Sequence, residues 1–140
     1  MGDRIVKGEL LHPGSASGEI LVLDTAVSFW GGFDPTNGMI IEAGHPQSGE
    51  KVTGKVLVMY RGKGSAGTPA GVAESIRNGS GPIALVLCEP EVNIAIGAAV
   101  ASELYDIHMP VVSLNHDDYV TLASAHSVVI STDGTLTVRK

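Results

Sequence analysis

The sequence predicts an α/β fold in which a small parallel α/β unit is joined to a β-rich lobe. Apolar strand-like runs alternate with helix-like runs between residues 55 and 113, and this alternation implies two strand–helix–strand crossovers. Residues 1–54 are instead rich in Gly, Pro and Ser and contain only short strand signals. Because 140 residues suit one core and no linker interrupts them, we expect a single domain over 1–140.

Each element follows from local patterns of apolar and turn-forming residues. In the first part we predict strands over 5–11, 19–23 and 39–41, with an exposed excursion over 28–44. In the alternating part we predict strands over 56–59, 83–87 and 110–112 and helices over 70–78 and 91–105. Asn78-Gly79 marks the end of the first of these helices. A short helix over 117–125 and a hairpin of 127–131 with 135–139, turning at Asp133-Gly134, complete the chain.

The composition is that of a folded protein with an apolar core. Hydrophobic residues make up 44% of the chain and charged residues only 17%, so part of the surface is expected to be covered by a partner. The net charge is −6, and we find neither a Lys/Arg cluster nor a ladder of aromatic residues. Nucleic acid is therefore not expected as a partner.

The chain contains one cysteine, Cys88, which excludes an intrachain disulfide and cannot alone build a metal or iron–sulfur site. Cys88 ends the apolar run 84–88, which predicts an inert core thiol. Charged residues interrupt the first ten positions and no apolar h-region follows, so no signal peptide is expected, and the apolar runs are too short to span a bilayer. We therefore expect a soluble cytoplasmic protein without a membrane partner.

The strongest candidate site is the glycine loop, defined as residues 61–67, which connects a predicted strand to a predicted helix. It brings together cations, glycines and a hydroxyl, contributed by Arg61, Gly62, Lys63, Gly64, Ser65, Ala66 and Gly67. Backbone N–H groups and the positive end of a helix favour anions at such a turn, and nearby cations could stabilise a serine alkoxide. The alternative is that Ser65 is an ordinary loop or capping serine, with Thr68-Pro69 a second possible helix start.

Two further features are candidates for binding. Phe29, Trp30 and Phe33 are three of only six aromatic residues in the chain, and they lie within five positions next to flexible glycines. Such a cluster suits an interface or a pocket wall, although a small satellite core would have the same pattern. His45 precedes a proline and could either orient a ligand or bond a backbone carbonyl; the other four histidines are expected to be structural or on the surface.

No complete catalytic set is visible in the sequence. There is no defensible Ser/His/Asp set, no pair of carboxylates and no cluster with metal-ligand spacing. If the chain belongs to an enzyme, another chain must then supply part of the active site.

Several separated motifs resemble the small subunit of the aconitase X family. They are Ser-Phe-Trp-Gly-Gly-Phe-Asp-Pro at 28–35, His45-Pro46, the strand at 54–58, Arg-Gly-Lys-Gly-Ser at 61–65, and the later strands at 82–85 and 110–112. The resemblance implies a swivelling β/β/α domain like that of aconitase. It also implies a dehydratase (hydro-lyase) that is active only with a large subunit, which holds the iron–sulfur cluster and most ligands.

The resemblance further implies roles for individual residues. The serine of the glycine loop corresponds to Ser65 and acts as the base at an interfacial active site. The neighbouring loop residues and one histidine are expected to contact a small carboxylate substrate: Arg61, Gly62, Lys63, Gly64, Ala66 and His45. Trp30 and Phe33 are expected to lie at the interface, and this chain is expected to bind no metal of its own.

Two family activities remain open. Archaeal members dehydrate (R)-5-phosphomevalonate, and many bacterial members dehydrate cis-3-hydroxy-L-proline. The chain departs from the usual Ser-rich continuation of the loop at 66–69, which leaves the substrate open. Its low Lys and Glu content lacks the enrichment typical of hyperthermophiles, so the bacterial, hydroxyproline-type activity is preferred. The alternatives of another class are a module that binds an anion without catalysis, and a scaffold that docks through Trp30 and Phe33.

Overall fold

The computed structural model describes residues 3–63 and 66–140. Within these ranges the chain forms strands β1 (Arg4–Lys7), β2 (Glu9–His12), β3 (Ala16–Val22), β4 (Phe33–Asp34), β5 (Met39–Ile40), β6 (Val56–Arg61), β7 (Ala84–Glu89), β8 (Val111–Ser113), β9 (Ser127–Ile130) and β10 (Thr135–Arg139). The helices are α1 (Thr68–Asn78), α2 (Val92–Tyr105) and α3 (His116–Ala123). The predicted α/β class is confirmed, and none of the described helices is long and apolar enough to cross a membrane.

Eight strands form one mixed sheet in the order β1-β10-β9-β3-β6-β7-β8-β2, and β4 pairs separately with β5. The neighbours β3, β6, β7 and β8 run parallel, whereas the flanking pairs are antiparallel. The predicted parallel unit and β-rich lobe are thus both present, and they share one sheet. Strand β3 pairs parallel with β6 on one side and antiparallel with β9 on the other, which makes the two parts continuous.

The predicted strand over 5–11 is two strands, because Gly8 lets the chain change partners. Before Gly8 the chain pairs with β10 and after it with β8, although these strands lie near opposite ends of the sheet. Strands β1 and β2 are the two edge strands of the sheet, and only Gly8 separates them in the chain. The sheet must therefore curve strongly enough to bring its two edges together at Gly8. The approach is close at Gly8: a Cβ there would lie 2.3 Å from Val112 Cγ1, and its N–H donates to the Gly134 carbonyl at 2.8 Å.

The central strands are buried on both faces, which explains their uninterrupted apolar sequences. Along β6, Val56 and Val58 pack into one core cluster together with α3 and the antiparallel strands. Leu57 and Met59, which alternate with them, pack into a second cluster with α1, α2 and the segment before β4. The parallel strands are thus held between two cores, and their carboxyl ends present the loops that follow β6 and β7.

The helices begin close to the predicted positions, with one correction at the start of α1. Helix α1 begins at Thr68, and its N-cap residue is Gly67, which makes no side-chain cap, so Thr68 is a helical residue rather than the cap. Its end is as predicted, with Gly79 in the left-handed conformation at φ 70°. Close packing joins α1 to α2, since a Cβ at Gly97 would lie 2.6 Å from Val72 Cβ.

The predicted core thiol is only partly buried. Cys88 lies near the end of β7, where it packs against the second core cluster. A hydrogen bond with the Cys88 thiol, together with partial desolvation, raises the pKa of the Tyr60 hydroxyl. The strand therefore leaves the core one residue earlier than its apolar sequence indicates, because Cys88 and Glu89 are already at the rim of the sheet.

Candidate functional site

The glycine loop connects the carboxyl end of β6 to the first turn of α1, which is the end of a parallel sheet where ligands usually bind. Arg61 is the last residue of β6 rather than part of the loop proper, because the strand is two residues longer than predicted. Ala66 is exposed. Gly64 and Ser65, the latter predicted to be catalytic, lie outside the residues that the structure describes.

Gly62 is a position where a side chain would not fit. A Cβ on this residue would lie 2.5 Å from Glu91 Cγ and 2.7 Å from Ile94 Cδ1. Glu91 is itself held in place as the N-cap of α2, because its Oε1 accepts a hydrogen bond from the Asn93 N–H at 2.6 Å. The glycine loop therefore rests directly on the start of α2.

Lys63 is fixed by a glutamate that sequence reasoning did not single out. Its ammonium donates a short hydrogen bond to Glu42 Oε2, and the other oxygen of Glu42 accepts the Ser28 N–H at 2.9 Å. Burial alone would raise the pKa of Glu42. The hydrogen bonds from Lys63 and Ser28 and the nearby positive charge outweigh it, and the pKa is lowered. Glu42 thus connects the glycine loop to the segment 28–33, called the aromatic segment, through hydrogen bonds from Lys63 and Ser28.

Arg61 is also paired within the chain. Its guanidinium lies 3.3 Å from Glu89 Oε2, in register across the parallel strands β6 and β7, and 5.9 Å from the centroid of the Tyr60 ring. The two predicted anion-binding cations therefore each have a carboxylate partner. Both pairs lie at the surface, where such ion pairs contribute about 1 kcal/mol or less to stability.

The predicted aromatic cluster separates into one exposed and two buried side chains. Trp30 is 61% exposed and its indole covers Gly67: a Cβ on that glycine would lie 2.4 Å from the ring. Phe33 is only 2% exposed and packs against Phe29, with ring centroids 5.3 Å apart. The expectation that Phe33 lies at an interface is therefore corrected to a core role, whereas Trp30 lies beside the glycine loop.

His45 forms a hydrogen bond with a backbone carbonyl, which was one of the two roles predicted for it. Its Nε2 lies 2.9 Å from the Thr25 carbonyl, and its Nδ1 accepts the Gln47 N–H at 3.0 Å. The ring is buried, so direct contact with a substrate would require one of these bonds to be replaced. Thr25 in turn lines a cavity of about 250 Å³ beside Arg61. His45 thus holds Thr25 in the wall of this cavity, and its contact with a substrate stays a prediction.

The residues described in the structure do not fit a metal cluster. They contain no group of three or more His, Cys, Asp or Glu side chains that could hold a metal ion. The single cysteine of the chain, Cys88, lies beside Tyr60 and has no second thiol nearby. We therefore assign no chemical step of this chain to an iron–sulfur group.

Glu42→Gln is expected to lower the stability of the chain by about 1 kcal/mol at pH 7, because a lysine ion pair is lost. The folded-state pKa of Glu42 lies below its ordinary value of 4.5. Its stabilising effect is therefore complete above pH 4.5 and disappears as the pH falls through the lowered pKa. Thermal unfolding of both proteins between pH 7 and pH 3 measures this difference.

The control is Glu50→Gln, which changes an exposed glutamate of the same segment. We expect it to alter stability only slightly at either pH. The ion-pair interpretation would be contradicted if the difference in stability between the wild-type and Glu42→Gln proteins grew as the pH was lowered.

Comparisons with known proteins agree with this architecture. The sequence profile of the aconitase X swivel domain matches residues 5–138. A phosphomevalonate dehydratase small subunit of Methanosarcina acetivorans is 34% identical over 128 residues, which cover 89% of this chain and 88% of that protein. A crystal structure of Thermococcus kodakaraensis aconitase X superposes with a TM-score of 0.83 at 28% identity, covering 98% of this chain and 99% of the matched one.

A second group of relatives is much longer than this chain. A cis-3-hydroxy-L-proline dehydratase of Pseudomonas aeruginosa is 42% identical over 104 residues, which cover 74% of this chain but 18% of that protein. A protein of the same name from Hypocrea jecorina is 34% identical, with 89% of this chain and 21% of the relative covered. The chain thus spans about a fifth of the length of these two relatives.

Proposed function

Because this chain belongs to the aconitase X swivel-domain family, we propose that it supplies one half of a dehydratase active site to a large subunit. The observation that carries the proposal is the match along almost the whole chain, over residues 5–138, to a family whose relatives are named dehydratases or their small subunits. The expected assembly is a heterodimer. The iron–sulfur group that the family resemblance implies is assigned to the large subunit.

The geometry of the described residues supports the idea of a half-site. The glycine loop lies at the open rim of the sheet, with Trp30 on one side and the start of α2 on the other. The three glutamates that contact the loop residues, Glu42, Glu89 and Glu91, pair with Lys63 or Arg61 or cap a helix, so none of these three is a free acid or base. The remaining catalytic groups are therefore expected to come from the partner.

We assign to Ser65 the removal of the proton from the substrate carbon next to the carboxylate. The C–H electron pair then forms the new C=C bond, the C–O bond to the neighbouring hydroxyl breaks, and the hydroxyl leaves with a proton as water. A serine can act as a base only where its alkoxide is stabilised, and the N-terminus of α1 is a suitable environment for negative charge. The assignment to Ser65 rests on the family resemblance.

The charge around the glycine loop favours cis-3-hydroxy-L-proline as the substrate. Arg61 and Lys63 are each neutralised by a glutamate, and Glu91 adds a third carboxylate beside Gly62. A phosphorylated substrate carries more negative charge than a zwitterionic amino acid, so it gains more from cations that have no carboxylate partner. The 42% identity to a hydroxyproline dehydratase agrees with this choice. Phosphomevalonate is the alternative, supported by the end-to-end match to small subunits of that enzyme.

The same pairing of Arg61 and Lys63 argues against an independent anion-binding module. Such a module needs cations that are available in the isolated chain, yet both side chains already contact carboxylates. This disfavours the anion-binding alternative relative to a role in which a partner completes the site.

The test is to co-express this chain with the aconitase X large subunit of the same organism and assay the purified pair. We expect the pair to dehydrate cis-3-hydroxy-L-proline, which is measured as formation of the product. We expect little or no turnover of (R)-5-phosphomevalonate. Neither subunit alone should be active. Activity on phosphomevalonate alone would select the alternative substrate, and a failure of the two chains to associate would overturn the proposed function.

A further inference from the structure

Helix α2 has an exposed apolar ridge on the side facing away from the core. Four of its side chains follow one another at intervals of four residues and are 37–66% exposed: Val92, Ile96, Val100 and Leu104. Residues four apart on a helix lie one above the other, so these side chains form a continuous row. Ile107, which is 42% exposed, lies just beyond the end of the helix. The row, from Val92 to Leu104, is called the α2 ridge below.

The opposite face of α2 is already buried against α1 and the sheet. It consists of Ile94, Gly97, Ala98 and Ala101. The helix is therefore apolar on both sides, and Glu103 is the one charged residue among its 14. A helix at the surface of a protein normally presents a polar face to water, whereas a helix apolar all round is covered on both sides. The α2 ridge thus has the composition of a buried face, but nothing among residues 3–63 and 66–140 covers it.

The position of the α2 ridge indicates which partner covers it. The ridge begins at Val92, directly after Glu91, which packs against Gly62 of the glycine loop. A partner that reaches over this loop to complete the active site therefore meets the start of α2 first. Trp30, at the other end of the loop, is also exposed and covers Gly67. Exposed apolar side chains therefore flank the candidate half-site at both ends of the glycine loop.

We propose that the α2 ridge is a principal docking surface for the large subunit; this inference rests on the proposed function. Permanent interfaces between different subunits are apolar at their centre and poor in charged residues, and the α2 ridge has both properties. The two longer relatives carry the matching segment within a chain about five times its length, which provides such a partner in the same polypeptide.

The test is a double variant, Ile96→Lys with Leu104→Lys, whose binding to the large subunit is compared with that of the wild-type chain. Two buried, unpaired ammonium groups should weaken association about a hundredfold or more. The isolated variant should remain folded because both side chains are exposed. The matched control is Val120→Lys on α3, a 51% exposed apolar helical position outside the ridge, which should change association less than about threefold.

Each outcome separates the inference from the proposed function. Failure of the wild-type chain to bind the large subunit rejects the proposed function. Wild-type binding that the ridge lysines leave unchanged overturns the inference alone. The inference alone is also overturned if the isolated chain is a dimer, and the two lysines dissociate that dimer without weakening binding to the large subunit. A second copy of the chain would then cover the α2 ridge. Should the double lysine variant unfold, Ile96→Ala with Leu104→Ala is compared with Val120→Ala, and the same weakening is required.

Discussion

Ser65→Ala is expected to reduce turnover by the assembled dehydratase by about a hundredfold to ten-thousandfold, the range typical for loss of a general base. The variant removes the hydroxyl to which proton abstraction is assigned and leaves the rest of the loop sequence unchanged. Association with the large subunit should not change, because docking is assigned to other residues. Steady-state kinetics and a binding measurement on the same preparation give the two quantities.

The matched control for this substitution is Ser48→Ala. Ser48 is an exposed serine of another loop, and its loss should leave both turnover and association unchanged. Turnover near the wild-type rate in the Ser65 variant would remove the catalytic assignment. Loss of association together with turnover would instead indicate that Ser65 acts in assembly.

Gly71→Ala is expected to destabilise the chain by about 3 kcal/mol, at the upper end of the usual cost of overpacking. A Cβ at Gly71 would lie 2.0 Å from the Phe29 carbonyl oxygen and 2.7 Å from its carbon. Both are backbone atoms, so the aromatic segment or α1 would have to shift as a whole. Equilibrium unfolding in urea measures the change in the free energy of unfolding.

The control is the neighbouring variant Ala70→Gly, whose change in the free energy of unfolding is compared with that of Gly71→Ala. Ala70 is exposed on the same helix, so its change to glycine should cost only the helix-propensity difference, about 1 kcal/mol or less near the helix start. Propensity alone would make Gly71→Ala stabilising by a similar amount. A stabilised Gly71→Ala protein would therefore contradict the close contact between α1 and the backbone of Phe29.

Most helices and strands were predictable because their signals are local. The alternation of apolar and turn residues placed α1, α2 and the strands β6 to β8 within two residues of their observed ends. The hairpin of β9 and β10 was likewise recognisable from Asp133-Gly134. The main errors concern partner choice. Nothing in the alternation of residues 5–11 reveals that the chain changes partner strands at Gly8.

The position of the candidate site in the glycine loop was predictable, but the ion pairs that Lys63 and Arg61 form there were not predicted. The glycines and cations of 61–67 identify an anion-friendly turn between a strand and a helix. Glu42 was missed because it lies 21 residues from Lys63, inside a segment predicted to be an exposed excursion. Glu89 could have been found, because parallel register between β6 and β7 places it opposite Arg61.

The sequence alone established the α/β class, the order of the elements and the importance of the glycine loop, because these depend on residues close together in the chain. The family resemblance, carried by motifs spread over the chain, was also available at that level. Tertiary packing settled which of the aromatic residues is buried, which carboxylates neutralise Lys63 and Arg61, and which face of α2 stays uncovered. These properties depend on contacts between residues far apart in sequence, and the pattern of a single segment does not contain them.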